Sequence, residues 1–381
     1  MTPRGPEGRE TAPGDGPTLH GVSRRAACLG LAAVAATPLA ACAGGERTVA
    51  EAAAAVRRPL APGVSDPLPE LVRFATLAAN GHNTQPWRFA RTASGLTLAP
   101  DATRRTPVVD PDDHHLYASL GCAAENLMLA ASAYGLGAAY AFDPETARIG
   151  IDLTPANRPV DALVAAIPKR QSTRSVYSGA AVAPADLAAL RAVAAVEGVD
   201  TLLITDRPGI ARVRDAVIEG NRLQMQDEAF VRELRRWIRF DAAAALRTND
   251  GLFGAASGNP VVPEWLGRSL FSMVFTVDGE TRKYQAQMDS SAGLAVFSAV
   301  RADPLHWALA GRACQRFALQ AAALGVKTAF VNQPVEVAAM RPQFADAVGF
   351  SGRRVDLVMR FGYAADLPFS LRRPVSAVLA P

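Results

Sequence analysis

The chain has 381 residues, 49% of them hydrophobic and 20% charged, which is ordinary for a globular protein and long enough for one large or two medium domains. Its net charge of +4 is too weak to argue for a nucleic-acid partner. Four cysteines are too few for a disulfide scaffold, and Cys122 and Cys314 sit in alanine-rich helical runs as expected buried free thiols.

In chain order, residues 1–22 are polar and rich in Gly and Pro. Ser23-Arg24-Arg25 then precedes the apolar stretch from Ala26 to Ala41. That stretch is shorter than the ~20 apolar residues a membrane span needs. A twin arginine before a short apolar run fits an export signal, by the twin-arginine or the Sec route. Leu39-Ala40-Ala41-Cys42 resembles a bacterial lipobox, which implies a lipid on Cys42 and a membrane anchor. Residues 1–41 thus read as an address and 42–68 as an Ala-, Pro- and Gly-rich tether.

Leu71 to Ala79 reads as an apolar helix. It runs into the polar loop Asn80-Gly81-His82-Asn83-Thr84-Gln85 and then Pro86-Trp87. Buried amides of such a loop need partners, and a planar polar ligand would supply them. Trp87 reads as core. A strand is expected over Gly95–Ala99. Asp112-Asp113-His114-His115 reads as a polar helix start, and the histidine spacings suggest no metal site.

Two helical runs, Leu120–Gly135 and Ala310–Gly325, match at 121/311, 123/313, 129/319, 131/321, 133/323 and 135/325. Small side chains at these places would let two helix backbones approach closely, and each run ends on a glycine suited to a helix C-terminus. Two unrelated alanine-rich helices would also produce such matches. The surroundings repeat too: strand-like Gly293–Phe297 precedes the second run, and Ala138–Ala141 and Thr328–Val331 follow the two. Each half therefore reads as an α+β unit around a central helix, 69–165 and 166–381, packed like the subunits of a dimer.

Between them, Lys169-Arg170-Gln171-Ser172-Thr173-Arg174-Ser175 precedes a helix expected over Pro184–Val196. Three cations and three hydroxyls fit a phosphate monoester, and equally a solvated basic loop. Segment 249–290 carries turn signals around the apolar run Trp265–Phe275, and reads as a lid or a surface insertion.

Two motifs carry a resemblance. His82–Trp87 is similar to the N-x-Q-P-W loop of the nitroreductase family, and Arg170-x-Ser172-x-Arg174 to that family's R-x-S-x-R. Arg360-Phe361-Gly362-Tyr363 and Leu371-Arg372-Arg373-Pro374 resemble its closing strand and second basic cluster. The two motifs stand in reverse order, one per half, and the only earlier arginine pair is Arg57-Arg58. That pattern resembles the tandem Acg subgroup. The resemblance implies two nitroreductase-like units packed as a fused pseudo-dimer, acting as a monomer, with one FMN in the cleft between halves.

By the family's pattern Arg170, Ser172, Arg174, Arg372 and Arg373 would bind phosphate. Asn80, Gly81, His82, Asn83 and Gln85, with Ser119, Asn332 and Gln333, would line the rest of the flavin. The activity implied is flavin-mediated hydride transfer from a nicotinamide donor to nitro-compounds, quinones or similar acceptors, with no obligatory protein acid or base. A lipoprotein that only holds flavin under a lid, and a solute-binding lipoprotein without flavin, are the alternatives.

Overall fold

The computed structural model describes residues 48–380. The export motif at Ser23–Arg25, the apolar stretch 26–41 and Cys42 lie outside the described residues, and no described helix is long and apolar enough to cross a membrane. The architecture is α+β.

Helix α1 covers 48–56, in the segment expected to be a tether. Alanine is the best helix former, and Val49 and Ala53, one turn apart, bury against Ala242, Phe253 and Leu371. Alanine-rich composition alone does not separate a linker from a docked helix. Helix α2 (Leu68–Thr76) ends at the loop leading into the hairpin β1 (Trp87–Arg91) and β2 (Gly95–Pro100). Helix α3 (His114–Ala131), β3 (Leu136–Asp143) and β4 (Arg148–Pro155) complete the first half. Its antiparallel sheet has the order β1-β2-β4-β3.

Helix α4 (Pro184–Val193) and β5 (Val199–Ile204) open the second half. A long excursion follows: α5 (Arg207–Gln226), α6 (Glu228–Trp237), β6 (Ile238–Arg239), α7 (Ala242–Thr248), β7 (Leu252–Phe253), α8 (Glu264–Val274) and α9 (Val277–Asp289). Then come β8 (Gly293–Ala299), α10 (Pro304–Ala323), β9 (Lys327–Phe330), α11 (Gln333–Glu336), α12 (Arg341–Ala347) and β10 (Leu357–Gly362). The second sheet, β5-β8-β10-β9, repeats the strand order of the first, with a long helix in the same place of each. The sheets differ in burial. β8 and β10 are buried at every residue, because α5, α9 and α12 cover the face that α10 leaves open. β3 is partly open along its length.

Helices α3 and α10 cross at the centre. A Cβ on Gly121 would stand 1.9 Å from the carbonyl oxygen of Ala308, and one on Gly311 would stand 1.9 Å from that of Ala118. The two contacts are reciprocal at the offset that matches the two runs. Gly135 and Gly325 take left-handed φ of 66° and 73° just past the two helices. Cys122 and Cys314 are buried free thiols at the crossing. After β10 the chain returns to the first half: Phe89 donates to Val378 and accepts from Ala380, each at 2.8 Å, adding a strand-like edge to β1.

Candidate functional site

The loop after α2 is bent hard. His82, Asn83 and Gln85 have φ of 46°, 52° and 54°, left-handed values that cost of order 1–3 kcal/mol each for residues other than glycine. Its clamps come from far along the chain. Asn83 Nδ2 donates to the carbonyls of Gly251 (3.0 Å) and Leu371 (3.2 Å), and its Oδ1 accepts from Arg372 Nη1 at 2.9 Å. Gln85 Nε2 donates to Asn249 O at 2.9 Å, and its Oε1 accepts from the Arg373 amide at 2.8 Å. Asn80 Oδ1 accepts from the Gln85 amide. The amides expected to meet a ligand thus find protein partners, and the side chains left facing the cleft are fewer. Gly81 is exposed there, and its N–H meets Ser119 Oγ at 3.3 Å.

Behind the loop lies an unbalanced charge cluster. Arg170 and Arg372 are 3% and 8% exposed, and Arg57 is 8% exposed. Arg170 Nη2 donates to Leu77 O; Arg372 donates to the carbonyls of Thr76 and Ala78. None of the three makes an ion pair among the described residues. Arg170 Nε and Arg57 Nε and Nη1 have no hydrogen-bond partner. Burial first, and then the other guanidiniums, push the Arg372 and Arg57 pKa values down, Arg57 to about 9. A guanidinium holds its proton regardless, so the strain is a demand for an anion. Arg57 escaped the sequence reading because it belongs to no motif. Its neighbour Arg58 shows the contrast: it takes Glu70 with two bonds of 2.9 and 2.6 Å, while Arg57 turns inward over Phe369. A cavity of about 600 Å³ opens beside Arg57, with Lys169, Gln171, Lys327 and Thr328 on its walls.

Arg373 departs from expectation. It points away from this cluster, toward Asp101 and the Ala377 carbonyl, because its own backbone is clamped by Gln85. Ser172 is bridged to Thr328 at the edge of β9, and no side-chain bond ties it to Arg170 or Arg174.

Arg174 lies in the cleft. Its Nη1 reaches Ser257 Oγ at 3.3 Å, and its carbonyl accepts from Gln287 at 2.7 Å. Its charge acts on His82, whose imidazole is pushed down to about 4, by burial first and then by Arg174 and His115. Glu336, bonded by Gln224 at 2.6 Å, is pushed up by burial. Tyr284 of α9 is pushed up by burial and then by Glu280. Gln333 is buried, with Oε1 lacking a partner, whereas Asn332 Oδ1 accepts from the Val358 amide and serves the turn. The surroundings of Arg174 are therefore polar, with His82, Glu336, Tyr284 and Gln287 about it. The expected lid divides: α9 brings Tyr284 and Gln287 to Arg174, but α8 leaves Trp265, Met273 and Val274 more than two-thirds exposed and buries only Phe271 and Gly267, the latter against Phe240.

The corresponding place in the other half is built differently. Leu309 stands at the offset of Ser119, on a cavity of about 670 Å³ bounded by Gly198, Arg301, Arg312 and Arg316. Arg312 and Arg316 are both committed to Glu125, at 2.8 and 2.7 Å.

No family model matches the chain. Two Mycobacterium tuberculosis proteins, one from strain CDC 1551 / Oshkosh and one from H37Rv, carry the provisional name NAD(P)H nitroreductase. Each is 28% identical over 325 residues, 81% of this chain and 90% of the relative. The chain is similar to nitroreductases over most of its length. Solved structures with partial likeness include a Desulfitobacterium hafniense nitroreductase with bound FMN (11% identity, 55% of this chain and 93% of that one, TM-score 0.35). Another is the Mycobacterium smegmatis nitroreductase NfnB in complex with NADPH (12%, 51% and 84%, TM-score 0.34).

Proposed function

We propose that the chain is an FMN-dependent oxidoreductase of the nitroreductase kind, with one flavin per chain held between two dimer-like halves. The observation that carries this reading is the trio Arg57, Arg170 and Arg372: three buried guanidiniums with no carboxylate partner among the described residues, two of them, Arg57 and Arg170, with orphaned N–H groups. A phosphate monoester matches their forked donors and cancels their repulsion. The relatives' names and the two motifs support the same reading. Arg174, Gly81, Ser119 and Gln333 would face the remainder of the cofactor in the cleft. Bound there, FMN would supply two-electron transfer between a nicotinamide-type donor and a nitro-compound, quinone or similar acceptor.

The protein's own part is to hold and exclude. The clamped loop sets one wall without needing to reorganise, Arg174 places a fixed positive charge beside it, and the neutral imidazole of His82 adds no second cation there. Tyr284 and Gln287 close one side against water.

The test is binding of FMN against riboflavin, which lacks the phosphate, followed by flavin fluorescence. FMN binding at least ~10-fold tighter than riboflavin, a gap of about 1.4 kcal/mol or more, and loss of that gap in Arg170→Met, are expected. Equal binding of the two, or no binding, overturns the proposal. A flavin-holding role without turnover is favoured by the closure of α9 over Arg174. Anaerobic mixing with NADPH decides: bleaching of the bound flavin supports the enzyme, and persistent oxidised flavin supports the holder. Export with a lipid on Cys42 belongs to the same proposal, and Cys42→Ala moving the protein from membrane to soluble fraction tests it.

A further inference from the structure

The start of α3 brings together three groups that the flavin reading leaves without a role. Asp110, His114 and His115 come from a turn and the first residues of the helix, and one donor atom from each lies within 4.8 Å of the others. His114 is fully buried, and its Nδ1 has no hydrogen-bond partner. Its other ring nitrogen, Nε2, meets Asp356 Oδ1 at 2.9 Å, and Asp356 Oδ2 is in turn held by the Ala299 amide at 2.5 Å. His115 is 11% exposed at the side chain. Its Nε2 is unpartnered, and its Nδ1 stands 3.8 Å from Asp110 Oδ1. The two rings converge, with centroids 4.6 Å apart. Each Asp110 oxygen accepts one backbone N–H, from His115 and Leu116 at 2.9 Å, which leaves a lone pair on each.

We propose that Asp110, His114 and His115 bind a zinc-class divalent ion, with Asp356 as the outer carboxylate that orients His114. Two imidazoles and a carboxylate suit Zn²⁺, Co²⁺ and similar borderline ions. A carboxylate behind a ligating histidine is the usual means of setting its ring and tautomer. Nearby cations do not oppose the ion freely, since Arg354 and Arg341 both pair with Asp112. Ligand bonds of about 2.0–2.1 Å place donors about 3.3 Å apart around a tetrahedral ion, so the three groups close by up to about 1.5 Å on binding. The fourth position takes water. The ion would tie the first half to β10 through His114 and Asp356.

The histidine spacing gave no hint of this, because Asp110 reaches the cluster only through the turn that starts the helix. The test uses the full chain, stripped with chelator and titrated with Co²⁺. One Co²⁺ per chain with visible d–d bands of four- or five-coordinate strength, displaced by Zn²⁺, is expected. Since His114 is buried and its replacement could unfold the chain, the deciding variants are His115→Ala and Asp110→Asn, with folding checked by circular dichroism. Each should weaken Co²⁺ binding at least ~10-fold. Absence of the bands in folded wild type, or unchanged binding in both variants, overturns the proposal.

Discussion

Arg57 shows how much a single side chain can depend on where the chain folds it. Beside Arg58 in sequence the two are interchangeable, yet one is neutralised by Glu70 and the other is buried with none. Arg57→Met should therefore leave stability in anion-free buffer unchanged or higher, while removing the rise in Tm that phosphate or FMN produces. For wild type that rise corresponds to about 2.7 kcal/mol at a ligand concentration 100-fold above Kd, and thermal melts with and without ligand measure it. An undiminished rise in the variant would show that Arg57 is not part of the cradle. His82 makes a different prediction. Its folded pKa of about 4 lies below the ordinary 6.5, so the unfolded chain takes up the proton first, and stability is lost as pH falls from 6.5 toward 4. His82→Gln should flatten the stability curve across that window by at most one proton, in urea melts at several pH values. Much of this site was legible in the residues: the Arg170–Arg174 motif and the polar loop both announce a need for partners. Which partners was not legible. Asn83 and Gln85 meet backbone carbonyls from residues 249–251 and 371, and no local pattern encodes contacts from so far along the chain.

At the level of elements, the crossing of α3 and α10 is the tightest joint. Gly121→Ala and Gly311→Ala would each drive a methyl into a backbone carbonyl, which cannot rotate away. Overpacking of this kind costs about 1–3 kcal/mol, and the reciprocal geometry predicts similar losses for the two in denaturant titrations. A loss at only one would mean the contacts are not equivalent. The matched small residues pointed to this joint, because a close helix approach has few solutions and all need glycine or alanine. Strand order had no comparable signature, and neither did the excursion between β5 and β8, whose helices cover the second face of that sheet. Trp265 through Phe275 reads as apolar, but the side chains alternate between Phe240 and solvent, so hydrophobicity alone overstated their burial.

For the molecule as a whole, the returning C-terminal segment binds the halves together. It supplies the edge of β1 through Val378 and Ala380, and it supplies the Asn83, Gln85 and Thr76 contacts through residues 371–373. Removing residues 369–381 should abolish soluble, monomeric protein, as read by size exclusion. A truncated chain with wild-type Tm would show the segment to be ornamental. The glutamate at the centre is equally consequential. Glu125 is buried at 2% exposure between Arg312 and Arg316, and Glu125→Ala should cost about 2–4 kcal/mol, the arginines' partial exposure softening the loss.

That last arrangement also governs whom each half can pair with. At the matched offsets, Cys122, Glu125 and Asn126 stand opposite Arg312, Gln315 and Arg316 in the sequence alignment of the two helices. Two copies of α3 facing one another would bring Glu125 to a cysteine and an amide, with no cation within the seam. Two copies of α10 would crowd four arginines with no acid among the three matched positions. Only the mixed seam balances, with Glu125 between its arginines and Gln315 bonded to Asn126 at 2.8 Å. A seam of this kind is self-avoiding for like halves: each half finds balancing charges only on a half of the other kind, so neither half can pair with its own duplicate.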